Sequence, residues 1–211
     1  MLVQEIRGTI IKTLNYEEQL RKYVEQQQTE IRREIGGFAL LHLWASPIIP
    51  PYEEIDLKDP ALRVALDTEI CVDPFNWNCE LHCGRPYPTL MGLGAEEASS
   101  ADHQAINLHR SGYLEFRTSR FVDGKDNVKE IMAQRVAIYC ENFASFVSRV
   151  YSLLELQGPL ALGCKLMRVN RHKLYKGDNY RPNHRLSLTV WADEDLDLGH
   201  RVSYDFKAEK Q

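Results

Sequence analysis

Residues 105–169 carry, in order, a tight hairpin, a long one-faced helix, a Gly-Pro stop and an alternating strand. No other stretch constrains the fold as much. The runs 105–109 and 113–121 flank Arg110-Ser111-Gly112, where glycine supplies the positive φ of a tight turn. Over 127–157, Val128, Ile131, Met132, Val136, Tyr139, Phe143, Phe146, Val147, Val150 and Leu154 form one wide apolar stripe. Asn127 with Glu130 predicts a capping box at its start, and Gly158-Pro159 ends it. Leu160, Leu162, Cys164 and Leu166 then alternate, as in a strand with one buried face. The sum is an α+β fold, an antiparallel sheet with the long helix 127–157 packed on it.

Upstream, Tyr16, Leu20, Tyr23, Val24, Ile31 and Ile35 recur mostly at three- and four-residue steps, predicting a helix over 16–35 at the edge of the domain. Asn15 and Glu18 read as its capping box, and Gly36-Gly37 as its stop. Its other face is charged, which suits either a solvated edge helix or a connecting and pairing helix. Residues 3–14 read as a short helix or the remnant of an upstream element. Residues 38–44 are apolar on both faces apart from His42, as in a central strand covered on both sides. Pro47, Pro50 and Pro51 stop it, and Asp59-Pro60 opens a short helix with Asp as cap. Residues 70–104, with Pro74, Pro86, Pro88 and Glu96-Glu97-Ala98-Ser99-Ser100, read as a long loop. Leu186, Leu188 and Val190 alternate as a last strand. Three stretches follow: an N-terminal helical segment 1–36, a single α+β domain 37–195, and a charged tail 196–211.

Composition narrows the class. A chain of 211 residues with 44% hydrophobic and 27% charged residues suits one sizeable core. A net charge of -4 excludes a polyanion binder by overall charge. Five cysteines at irregular spacing predict free thiols and a reducing cytoplasm rather than a disulfide framework. No apolar run has signal-peptide or membrane-span length.

Several of these pieces stand together in one known family. They are Thr29-Glu30-Ile31-Arg32-Arg33-Glu34-Ile35, Ala39-Leu40-Leu41-His42-Leu43-Trp44-Ala45-Ser46-Pro47, Ile106-Asn107-Leu108-His109-Arg110-Ser111-Gly112-Tyr113-Leu114-Glu115, and Gln157-Gly158-Pro159 with the strand 160–166. In this order, over about residues 25–192, the chain resembles the C-terminal region of bacterial Schlafen-like, Alba-type proteins classed with DNA-binding transcriptional regulators. The matching pieces are structural and carry no reactive residue. The Alba-type module, to which nucleic-acid or nucleotide contact is assigned in such proteins, is not matched by these residues, so either this region works alone or the chain is a piece of a longer protein. The resemblance therefore implies a sensing or interaction domain of unknown ligand.

Four groups of side chains merit chemical reading. Cys71, Cys79, His82 and Cys83, with His103 further on, are soft and imidazole donors of the kind zinc takes, though without a paired CxxC. Their ordinary role is as free thiols and loop side chains. Lys165, Arg168, Arg171, Lys173, Lys176, Arg181 and Arg185, interleaved with Tyr175 and Tyr180, could recruit phosphate and stack bases, or form a solvated connection between two strands. Asp193, Glu194, Asp195 and Asp197, with Asp205-Phe206-Lys207, could hold Mg²⁺ or form an exposed acidic tail. Cys140, Cys164 and His42 read as core residues, and His109 as exposed beside the hairpin turn. No Gly-x-Ser-x-Gly elbow, phosphate loop or dinucleotide fingerprint is present.

The sequence thus points to a non-enzymatic, cytoplasmic sensing or protein-interaction domain of a bacterial regulator-like or defence-related protein. Its partner is a protein or small ligand, with no cofactor and no membrane. Its working surface is expected on 70–104 and the open sheet face, where Trp77 and Trp191 line a pocket. The alternatives are direct nucleic-acid binding through 165–185, and a hydrolase or nuclease whose site the sequence does not reveal.

Overall fold

The computed structural model describes residues 2–35, 37–48, 51, 55–70, 79–99, 102–123, 129–156, 158–170, 172–175 and 194–203. Their helices are α1 (Leu2–Glu34), α2 (Pro60–Asp67) and α3 (Ala133–Leu153). Their strands are β1 (Leu40–Pro47), β2 (Tyr87–Pro88), β3 (Gly92–Ala98), β4 (His103–His109), β5 (Leu114–Thr118), β6 (Val122–Asp123), β7 (Glu130–Met132), β8 (Leu160–Met167), β9 (Lys173–Tyr175) and β10 (Leu196–Ser203). Seven strands form one antiparallel sheet in the order β10-β8-β1-β5-β4-β3-β2, and β6, β7 and β9 form a small second sheet. The fold is α+β, with α3 packed on the large sheet.

β1 is buried along its whole length because it is central and covered on both faces. Leu41, Leu43 and Ala45 point to one face, where they join Ile106, Leu108, Leu114 and Phe116 beneath Tyr139, Phe143, Phe146, Val147 and Val150 of α3. Each fully buried aromatic or aliphatic side chain of this kind contributes roughly 1.5–3 kcal/mol. The alternate residues of β1 point to the opposite face, which α1 covers. Leu20 and Val24 of α1 pack with Trp44, Tyr113 and Ala161, and Ile31 and Ile35 pack with Leu40 and Met167. Gly163 permits this packing, because a Cβ there would lie 2.2 Å from the Trp44 ring.

Local signals explain several elements. Asp59 accepts a hydrogen bond from the Ala61 amide, and Pro60 opens α2, as the Asp-Pro pair predicts. Gly112 at the β4–β5 turn has φ +85°, the conformation only glycine takes without strain.

Elsewhere the boundaries move. α1 starts at Leu2, so Asn15 lies inside a continuous helix and caps nothing. Residues 2–14 contain no proline; once they are helical, continuing through one asparagine costs only a few tenths of a kcal/mol. α3 starts at Ala133, six residues later than expected from 127, and its cap residue Met132 makes no side-chain cap bond. Glu130 is in β7, held between β6 and β9, so the expected capping box does not form; Asn127 lies outside the described residues. The supposed loop 70–104 contains β3, which pairs with β4 over seven residues although Gly92-Leu93-Gly94-Ala95 has little strand propensity. The charged tail expected from residue 196 begins instead with edge strand β10, paired to β8 around a bulge. The strand expected at 186–190 lies outside the described residues.

Candidate functional site

The sheet face beneath α1 is not an apolar surface. Strand register lines up two polar rows across it. One runs Lys165, His42, Arg117, Ala105, Glu96, and the next runs Gly163, Trp44, Glu115, Asn107, Gly94. These are the positions that alternate with the α3-facing residues of the same strands. A strand has two faces, and α1 turns what would be the solvent side into an interior.

At the centre, His42 Nε2 donates to Glu115 Oε2 at 3.2 Å and Asn107 Nδ2 donates to Glu115 Oε1 at 2.8 Å. Arg117 Nε lies 3.9 Å from the same carboxylate, and another Arg117 nitrogen lies 3.6 Å from Glu34 of α1. The Tyr113 hydroxyl lies 3.5 Å from His42 Nε2. Burial alone would raise the Glu115 pKa. The His42 hydrogen bond, the Arg117 charge and the Asn107 bond more than reverse this and hold it at about 2. With Nε2–H given to Glu115, His42 Nδ1 has no partner among the described residues although it is fully buried. Tyr23 of α1 closes the cluster, its hydroxyl hydrogen-bonded to His109 Nδ1 at 2.6 Å. Burial lowers the His109 pKa and, aided by Glu115, raises the Tyr23 hydroxyl to about 12. His109, expected to be exposed, is 5% exposed because α1 lies over the turn.

The hydrogen-bonded Glu-His-Tyr set has the parts of a proton-transfer site. Its central side chains are closed off from solvent while α1 is seated: His42 is 0% and Tyr113 1% exposed. A groove of about 570 Å³ lined by Ile55, Leu62, Leu153 and Leu154 shares no residue with it.

The basic stretch behaves differently from a free patch where it is described. Lys165 Nζ donates to Gln28 of α1 at 2.9 Å and lies 3.3 Å from Asp195. The Arg168 guanidinium donates to the Arg32 and Ile35 carbonyls at the C-terminal end of α1, satisfying groups that the helix leaves without partners. Arg32 in turn pairs with Glu194 and Asp195. Part of the acidic run therefore neutralises part of the basic stretch and fastens α1. Asp197 accepts from the Gly199 amide at the β10 bulge. Lys173 is on β9. Arg171, Lys176, Arg181, Arg185, Asp193 and residues 205–207 lie outside the described residues.

Cys79 and Cys83 are buried, burial raising the Cys83 thiol to about 12. His82 is half-buried, and Cys71 lies outside the described residues. Among the described residues no three His, Cys, Asp or Glu side chains gather as metal ligands. Trp77 and Trp191, the expected pocket residues, also lie outside. No described helix is long and apolar enough to cross a membrane.

Sequence reasoning missed Glu115, Arg117, Asn107 and Tyr113. Glu115 and Arg117 alternate with Leu114, Phe116 and Thr118 and read as the wet face of a hairpin. The signal that could have found them is the stripe on α1, which needs a sheet face to cover. Compared with protein-family models, with curated proteins and with solved structures, the chain shows no match.

Proposed function

We propose that this chain is a non-catalytic sensing or interaction domain of a bacterial regulator-like or defence-related protein, with α1 as its responsive element. The observation that carries this reading is closure: the described side chains best suited to acid–base chemistry are sealed beneath α1. They serve there to seat the helix. α1 is held by a short apolar seam plus hydrogen bonds and charges, including Tyr23–His109, Gln28–Lys165, Arg32–Asp195 and Glu34–Arg117. Such contacts depend on direction, so a small displacement of the helix breaks several together. A ligand or partner that prefers one seating shifts the population by its difference in affinity for the two. The engagement of Lys165 and Arg168 with α1 and Asp195 leaves less charge for phosphate contact than the sequence suggests.

The test follows α1 by amide hydrogen exchange and the whole chain by thermal unfolding. The probes are adenine and guanine nucleotides, cyclic dinucleotides, and single- and double-stranded oligonucleotides in a salt series. A probe that raises Tm and changes exchange in peptides covering residues 16–35, without being consumed, supports the reading. Hydrolysis of a probe that is lost in Glu115→Gln overturns it in favour of an enzyme. Oligonucleotide binding that falls steeply with salt and leaves α1 exchange unchanged overturns it in favour of a nucleic-acid binder. Unchanged α1 exchange with every probe also counts against it.

A further inference from the structure

Cys140 and Cys164 stand apart from the polar layer, on the other face of the sheet. Cys140 is on α3 and Cys164 on β8, next to Leu43 of β1 in the strand register. Their sulfurs are 3.9 Å apart, and in the dithiol state the Cys140 S–H donates to the Cys164 sulfur. Neither is sealed: both are intermediate in exposure and pack at the margin of the main core. Cys79 and Cys83, in contrast, are closed off from solvent. We propose that Cys140 and Cys164 are a redox-responsive pair that closes to a disulfide under hydrogen peroxide and pins α3 to β8.

A disulfide needs the sulfurs at about 2.05 Å, so the pair must close by about 2 Å. Rotation about the two Cα–Cβ bonds moves each sulfur towards the other, and any remainder is taken up by a small approach of α3 to β8. The chemistry has a defined order. The Cys140 thiol is the more acidic of the pair, because the Cys164 S–H donates to the Cys140 thiolate once it forms. The second proton is held far more tightly, because the first thiolate and burial both oppose its loss. The Cys140 thiolate attacks one oxygen of peroxide, breaking the O–O bond, forming a sulfenic acid and releasing hydroxide, which takes up a proton to become water. The Cys164 sulfur then attacks the Cys140 sulfur. The S–OH bond breaks, the S–S bond forms, and the displaced hydroxide leaves as water with the Cys164 proton. Two thiols and one peroxide give one disulfide and two waters, the pair losing two electrons. This inference is independent of any role for α1.

The experiment treats the full chain with a small excess of hydrogen peroxide and reads intact mass, thermal unfolding and a non-reducing peptide map. The expected product is lighter by about 2 Da, carries a peptide joining Cys140 to Cys164, and reverts under dithiothreitol. Closing this loop of about 25 residues is expected to raise Tm by roughly 7–14 °C. Cys140→Ser and Cys164→Ser each abolish the cross-link and the Tm rise. Should either variant fail to fold, differential alkylation of the parent before and after peroxide decides the matter: both cysteines must lose reactivity together and regain it on reduction. Recovery of Cys140 as sulfinic acid, a cross-link between other cysteines, or unchanged alkylation at both positions would overturn the proposal.

Discussion

Glu115→Gln tests whether the polar layer under α1 is bound together by a carboxylate charge. The substitution keeps the size of the side chain and its acceptor oxygen but removes the charge that His42, Asn107 and Arg117 face. The ordinary glutamate pKa is 4.5, and the native one is about 2. That gap, at about 1.4 kcal/mol for each tenfold change in proton affinity, is worth roughly 3 kcal/mol at neutral pH. Because the native pKa is lowered, the contribution is complete above the unfolded value and is lost as pH falls through the native one. Linkage leaves about 2 kcal/mol at pH 3.5, a loss of roughly 1 kcal/mol. The assay is urea unfolding at pH 7, 5 and 3.5, followed by tryptophan fluorescence, on parent and variant. The expected deficit of Glu115→Gln is about 3 kcal/mol at pH 7 and narrows by roughly 1 kcal/mol at pH 3.5. Comparing parent with variant at each pH removes titrations common to both. A deficit that stays constant with pH, or a variant as stable as the parent at pH 7, would refute the assignment of a buried, charge-paired Glu115.

Two further substitutions probe the seating of α1. Arg168→Ala removes the donors to the last carbonyls of α1 and should cost about 1–3 kcal/mol, with faster amide exchange confined to the C-terminal turns of α1 and its contacts on β8; exchange unchanged in α1 would show that the arginine does not hold the helix. Gly163→Ala places a methyl against the Trp44 ring, which is boxed in by Tyr113, Leu20 and Val24; it should lower stability by about 1–3 kcal/mol and shift the tryptophan emission, both read by thermal unfolding with fluorescence detection.

What was legible in the sequence follows from the periods of its apolar residues. The 3.6-residue stripe on α3 and the alternation in β8 need no knowledge of distant partners; β8 forms where its pattern puts it, and α3 forms over the middle of its stripe, at Ala133–Leu153. Asp59-Pro60 and Gly112 are equally local, since a cap and a positive φ are properties of one or two residues. The misses share a cause. Whether Asn15 caps a helix depends on whether the residues before it are already helical. Glu130 belongs to a strand because β6 and β9, at separate places in the chain, hold it there. β3 is a strand by pairing and not by propensity, and β10 has the composition of a tail until β8 offers it an edge. Asn15 is overruled by the helix that runs into it, and each of the other misses is tertiary pairing overriding a local preference.

The polar layer shows the same limit with a consequence for function. Glu115 and Arg117 have the spacing of a solvated hairpin face, and only α1, some eighty residues upstream, makes them interior. Burying a carboxylate, a guanidinium and two imidazoles is a costly way to seat a helix, since an apolar face of the same shape would hold it as firmly. What such a layer supplies instead is direction. Gln28, Tyr23 and Glu34 meet Lys165, His109 and Arg117 in one register of the helix on the sheet, and a shift by a turn would break all three contacts at once. An interface built this way favours one seating sharply and is sensitive to anything that competes for its charges. That is the property required of an element that reports binding, and it is why the exchange behaviour of α1, rather than turnover, is the observable to follow.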